Sequence, residues 1–310
     1  MKETKSYLKT RWQTELKAIG DLVTHELKQK GDLNRLDLPR TANELIDLRG
    51  FSAPKKYTTE KSNSGRDKTY VSEGMRIKKK RFENVDFSYS DFEECEFFDC
   101  IFSRSKFDEA RFVATNFWGC KFHEIAFAKT NFGHSTFEAG GIIFRKIKDN
   151  FRNVKFEHAN FSEVHVHDQT FQDCHFSSCK TGALILSKCI LKDVSFSGTT
   201  RDLFFMESRQ VENVDFTDSV LSGLNLEKQT LNGFHFPEGD TYYKFTNKSK
   251  ELANLRLQDH LTVEENKLVD TIKFVWSRNN LETDFVDVNW LNEDEIETGK
   301  LIIKELKKRR

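Results

Sequence analysis

Phenylalanine recurs at every fifth position in the middle of the chain: Phe82, Phe87, Phe92, Phe97, Phe102, Phe107, Phe112, Phe117, Phe122, Phe127, Phe132 and Phe137, with mostly polar residues between. The step matches neither the helical period, nor strand alternation, nor a heptad. After GGIIFRKIKDN it resumes at Phe151, Phe156, Phe161, Val166, Phe171 and Phe176. It continues at Leu186, Leu191, Phe196, Met206, Val211, Phe216, Leu221, Leu226, Leu231 and Phe236. Two residues ahead of these positions runs a row of smaller side chains, among them Val85, Cys95, Cys100, Ala110, Thr115, Cys120, Val154, Cys174, Cys179 and Cys189. Residues two apart face the same side of an extended chain, so each unit predicts a three-residue strand with one small and one large side chain inward. The two remaining positions are mostly Ser, Asp, Glu, Lys, Arg, His and Gly, as solvated corners should be. A strand that turns every five residues winds into a coil, and coils stacked about 4.8 Å apart form a β-solenoid.

The units VDFSY, CEFFD, ARFVA, TNFWG, TNFGH, ANFSE and VDFTD resemble the pentapeptide-repeat family, whose motif is a small residue, Asp or Asn, a central Leu or Phe, and two variable positions. The resemblance covers residues 81–240. It implies an all-β core, a right-handed quadrilateral β-helix with four units per coil. About eight coils would make a rod of about 37 Å. All six cysteines fall in the small inward row, which reads as reduced core packing rather than a metal site. Cys100 and Cys120, one coil apart, are expected to touch without bonding.

Helical segments flank the repeat. In the N-terminal helical segment, 1–50, one amphipathic helix over 3–30 would align Leu8, Trp12, Leu16, Ile19, Val23 and Leu27. Residues 51–80 read as a flexible basic linker. Residues 241–310 read as a C-terminal helical cap or dimerisation segment, because solenoid ends need covers. There Thr262 and Glu265 form a capping box before Leu268, Ile272, Val275 and Trp276, and a second helix over 293–308 groups Ile296, Ile303 and Leu306.

Charge changes the picture only through its distribution. The 49 basic and 49 acidic residues cancel, but residues 1–81 carry 20 basic against 11 acidic, and 82–240 carry 16 against 25. Glu83, Asp86, Asp91, Glu93, Glu94, Glu96 and Asp99 give the first coils an acidic surface beside the basic run Arg76 to Arg81. Intramolecular charge matching or a solvated linker is the favoured reading of that run, so direct nucleic-acid binding is not expected. No apolar stretch is long enough to span a membrane, and a cytoplasmic protein is expected.

The breaks in the repeat are the candidate interaction loops. Between Ile142 and Phe151 the spacing of nine reads as four residues gained or one lost, with Arg145, Lys146, Lys148 and Arg152 on an exposed basic loop or register slip. In the second segment the inward positions fall on Thr181 and Arg201. An Arg cannot enter an apolar core unpaired, so Thr181, Thr200, Arg201 and Asp202 are expected to bulge outward together. His175, Ser195, Asp215 and His235 would stack in one outward ladder, without the pocket or oxyanion donors that hydrolysis requires.

No catalytic or metal-binding pattern and no cofactor motif emerges, and the chain is expected not to be an enzyme. The resemblance implies a protein-binding module, an acidic rod that mimics duplex DNA and modulates or protects a bacterial DNA topoisomerase, gyrase foremost. The alternative is a scaffold or effector whose helical ends bind partner proteins, with homodimerisation through the C-terminal helices.

Overall fold

The structure, a computed structural model, describes residues 3–29, 33, 36–61, 68–138, 150–227, 229–255, 261–277 and 284–308. Phe82, Phe102 and Phe122 pair on successive parallel strands, as do Phe151 and Phe171. The coil therefore repeats every twenty residues, with four five-residue walls. Two eight-stranded parallel sheets run along the rod, one from Arg81–Glu83 to Phe234–His235 and one from Arg76–Lys78 to Asn225–Glu227. Seven steps of about 4.8 Å make a solenoid about 34 Å long.

The twelve phenylalanines from Phe82 to Phe137 are each at most 2% exposed. Rings one coil apart stack nearly parallel, as in Phe102 and Phe122 at 5.0 Å and 1°. Rings on adjacent walls meet edge to face, as in Phe82 and Phe87 at 5.4 Å and 80°. Each buried ring stabilises by about 2–3 kcal/mol. The small inward row tolerates hydroxyls and thiols because most of them find a carbonyl one coil below, the buried Ser90 hydroxyl being an exception. Thr115 Oγ1 donates to the Phe92 carbonyl at 2.7 Å, and Cys120 Sγ to the Phe97 carbonyl at 3.4 Å. Corners are tight: Asn84, Glu94, Ala114, Glu124 and His158 all adopt φ between 51° and 61°.

The N-terminal segment is a cap built in pieces rather than one helix. Helix α1 (Lys5–Thr10) ends in a 3-10 turn, Arg11–Gln13, before α2 (Lys17–Lys28). Buried Arg11 and Trp12 anchor the turn: Arg11 pairs with Asp47 at 2.6 Å, and Trp12 Nε1 donates to the Arg49 carbonyl at 2.8 Å. Burial works against the Asp47 carboxylate, but Arg49 and Arg11 hold its pKa at about 2. Trp12, Val23, Leu27 and Phe51 join the solenoid core, with the Phe51 ring 5.9 Å from Phe92. Ile46–Asp47 pair with Val85–Asp86, adding a partial coil beneath the first.

The described residues of 51–80, where a flexible basic linker is expected, take part in regular structure. Their backbone forms an antiparallel hairpin, Lys56–Lys61 with Lys68–Glu73, and Met75 and Ile77 are already buried in the first coil. The pair repeats the two-residue inward spacing, with Met in the usually small position and no phenylalanine to mark it. Farther on, Phe122 pairs with Phe151 and Phe137 with Val166, so that coil spans twenty-nine residues. The insertion is nine residues rather than four. Arg145, Lys146 and Lys148 lie outside the described residues, and Arg152 is exposed.

At the other end the cover is a two-stranded ribbon, Tyr242–Phe245 with Asp284–Asp287, backed by helices α3 (Lys248–Asn254), α4 (Val263–Ser277) and α5 (Ile296–Lys308). Alternation decides its two faces. Tyr242 and Phe285 join the solenoid core, while Tyr243, Phe245 and Val286 pack with Ile272, Trp276, Ile302 and Ile303 in a second core. The capping box forms, with Glu265 N–H on Thr262 Oγ1 at 3.2 Å and Thr262 N–H on Glu265 Oε2 at 2.7 Å. Val275, expected inward, is 37% exposed. Among the described residues no helix is long and apolar enough to cross a membrane.

Candidate partner-binding cleft

The second break resolves by a one-residue slip rather than an outward bulge. Leu186 pairs with Phe205 and Phe205 with Leu226, so one coil is a residue short and the next a residue long. A β-bulge after Ser195 absorbs the difference. The slip puts Thr200 inward, at 4% exposure, and leaves Arg201 in solvent. Thr181 is also core, at 2% exposure; its Oγ1 accepts the Arg201 N–H at 2.9 Å and donates to the Arg201 carbonyl at 2.7 Å. Of the four residues expected to protrude, only Arg201 and Asp202 are exposed. Keeping a guanidinium in water outweighs one irregular strand.

The same slip turns Phe205 inward in place of Met206 and Phe204 outward. Phe204 then lines a cleft of about 340 Å³ between the last coils and the C-terminal unit, with Asp202, Leu224, Val275, Trp276 and Trp290. Trp290 and Val275 are 36% and 37% exposed. The cleft is fixed from below by Asp287, whose carboxylate accepts N–H groups of Gly223 at 3.1 Å and Asn289 at 3.0 Å. Burial pushes the Asp287 carboxyl up to about 6 despite those donors. Asn289 Nδ2 donates to the Leu221 carbonyl at 2.6 Å, and Trp290 Nε1 to the Asp287 carbonyl at 2.9 Å. Lys248 and Asp284 form a buried pair at 2.9 Å behind the ribbon.

The acidic surface is largely matched within the molecule. Glu83 pairs with Arg104, Glu96 with Arg76, and Glu93 with both Lys55 and Arg111. Asp91 lies 3.7 Å from Arg111, and Asp86 is 6% exposed with its Oδ1 accepting the Ser88 N–H. Partial burial would raise the Glu93 carboxyl, but Lys55 and Arg111 bring it below its ordinary range. Glu94 and Asp99 occupy left-handed corners. In the basic run, Lys80 is buried and donates to the Glu26 carbonyl.

His175, Ser195, Asp215 and His235 do stack on successive strands. His175 Nδ1 lies 2.6 Å from Ser195 Oγ, but Asp215 spends its Oδ1 on the Thr217 N–H and hydroxyl, both at 2.8 Å. Ser195 stands between the His175 imidazole and the Asp215 carboxylate, and His235, the histidine beside Asp215, is two strands from Ser195, so the ladder does not have the order a triad requires. Among the described residues no three His, Cys, Asp or Glu side chains are placed to hold a metal ion. All six cysteines are free and buried, and burial pushes the Cys95, Cys174, Cys179 and Cys189 thiols up to about 12.

No family model matches the chain, and none of the curated proteins matches it. Solved structures do. One is QnrB1, described as a plasmid-mediated fluoroquinolone resistance protein: 16% identity over 49% of this chain and 84% of that one, with a TM-score of 0.29. Another is HetL, a pentapeptide repeat protein involved in heterocyst differentiation regulation from the cyanobacterium Nostoc: 12% identity over 53% of this chain and 90% of that one, with a TM-score of 0.28. The chain resembles pentapeptide-repeat proteins in fold. That likeness rests on the twenty-residue coil and its four walls.

Sequence reasoning missed Phe204, Trp290 and Asp287. The run Leu203-Phe204-Phe205 was the available signal, since three consecutive apolar residues cannot all face inward on a strand. Asp287 had none, because its role depends on which backbone N–H groups the ribbon brings to it.

Proposed function

We propose that the chain is a non-enzymatic protein-binding module, a stiff rod whose C-terminal cleft receives a partner protein. The observation that carries this reading is Phe204, turned outward by the register slip into a cleft it shares with half-exposed Trp290 and Val275. Aromatic side chains with one face open to water are the usual anchors of protein contacts. Asp202 gives the apolar lining a charged neighbour. The ends of the rod are occupied, one by the N-terminal helices and one by the ribbon, which leaves its flanks and the cleft for contact.

A DNA topoisomerase, gyrase first, is the partner class that the pentapeptide-repeat resemblance nominates. The pairing of Glu83, Glu93 and Glu96 with cations weighs against duplex mimicry by the first coils, so engagement through the cleft is the form proposed. The test is a gyrase supercoiling assay with purified protein, with and without a quinolone. Inhibition or protection that is lost in Trp290→Ala supports this partner. No effect on either activity removes gyrase from the reading.

A further inference from the structure

The phenylalanine column on one wall is regular until its final step. Centroids are 4.6 Å apart for Phe156 and Phe176, 4.7 Å for Phe176 and Phe196, and 4.7 Å for Phe196 and Phe216. Between Phe216 and Phe236 the separation opens to 6.3 Å, although the rings stay within 7° of parallel. Phe236 instead closes on the ribbon's Phe285 at 4.0 Å. Phe234 stands beside it at 5.9 Å and 19°. The last coil thus presents near-parallel rings that are not packed to the spacing of those below.

A cavity of about 620 Å³ lies beside the last coil, on the side of Phe236 and the ribbon, lined by Phe234, Phe236, Tyr242 and Phe285, with His235, Lys244 and Lys307 also on its wall. This is within the size range of small-molecule sites, about 300–1,000 Å³, and domain junctions are where such sites concentrate. Glu238 is the one carboxylate in the lining. Lys307 is held in place by donating to the Gly239 carbonyl, which lowers the cost of ordering its ammonium on binding. Apart from Phe285, the lining shares no residue with the partner cleft.

We propose that this cavity binds a planar aromatic anion, with the ring against Phe234 and Phe236 and the acidic group toward Lys244 and Lys307. Offset stacking favours a flat conjugated ring over a saturated one. The two ammonium groups favour an anion and repel a cation.

The test uses the full-length protein and three probes of similar size: 1-naphthoate, 1-naphthylmethylammonium and cyclohexanecarboxylate, titrated by calorimetry and by ligand-observed NMR. 1-Naphthoate is expected to bind saturably at one site, at least about tenfold more tightly than either of the others. Lys244→Glu and Lys307→Glu are each expected to weaken it about tenfold in protein that keeps its native circular dichroism. If Lys307→Glu fails to fold, Lys244→Glu and Phe236→Leu carry the test. The proposal is overturned by absent or non-saturable naphthoate binding, by equal affinity for the cation or the saturated acid, or by binding indifferent to the lysine substitutions.

Discussion

Thr181 clasps Arg201 across one coil, its hydroxyl accepting a hydrogen bond from the Arg201 N–H at 2.9 Å and donating one to the Arg201 carbonyl at 2.7 Å. Where the repeat is a residue short, one buried hydroxyl stands in for the regular ladder. Thr181→Val keeps the shape and strands both backbone groups, at an expected cost of about 2–3 kcal/mol. Urea denaturation should show this as a lower midpoint with an unchanged slope, while Thr181→Ser stays near wild type. A neutral Thr181→Val would mean that the hydroxyl is not the clasp.

Asp287 makes the junction pH-dependent. The folded carboxyl titrates near 6 and the ordinary one near 3.8. Below 3.8 both folded and unfolded chains hold the proton, and burial carries no charge penalty. As pH rises through the window only the unfolded chain ionises at first, so stability falls by up to about 3 kcal/mol and the loss is complete above about pH 6. Asp287→Asn also disturbs the N–H contacts, so the readout is slope rather than offset. Denaturation between about pH 4 and 8 should show the wild type losing stability relative to the variant. Parallel curves would rule out a buried, titrating Asp287.

Corner strain should be relievable. Ala114 is exposed at φ 52°, a conformation that costs a side-chain-bearing residue about 1–2 kcal/mol. Glycine forfeits part of that gain through unfolded-state entropy, so Ala114→Gly should raise stability by about 0.5–1 kcal/mol. A lower melting temperature for this variant would show that the corner is unstrained.

The cysteines should be inert while the chain is folded. Burial keeps the Cys95, Cys174, Cys179 and Cys189 thiols protonated, and all six cysteines are out of reach of solvent. Iodoacetamide at about pH 8 should label none in native protein and all six in concentrated urea. Rapid native labelling, or a reducible Cys100–Cys120 cross-link found by mass spectrometry, would contradict the packed core.

Legibility followed the strength of the period. Each Phe from 82 to 137 could be placed inward because a five-residue step with a small residue two ahead has no other extended solution. The period also misled. Counting in fives put Arg201 and Met206 inward, whereas the cost of burying a guanidinium moved the register by one and brought in Thr200 and Phe205. Met75 and Ile77 were hidden because the first wall of the first coil carries Ile77 where the following walls carry phenylalanine. The ribbon was unreadable in advance: Tyr242 to Phe245 and Asp284 to Asp287 lie far apart in sequence, and their pairing is decided by the open end of the rod. The acidic wall was legible as residues but not as electrostatics, since Lys55 reaches Glu93 only through the fold.

The claim that matters most is that a partner protein docks in the cleft of Phe204, Val275 and Trp290. The direct measurement is quantitative affinity capture from the protein's own cells with full-length wild type, the pair Val275→Asp/Trp290→Ala, and the wall variant Glu96→Ala, each checked for unchanged circular dichroism. The expected result is one partner enriched by wild type and by Glu96→Ala, and reduced at least about tenfold with the cleft pair. A partner retained by the cleft pair, one lost only with Glu96→Ala, or no enriched partner at all would contradict it.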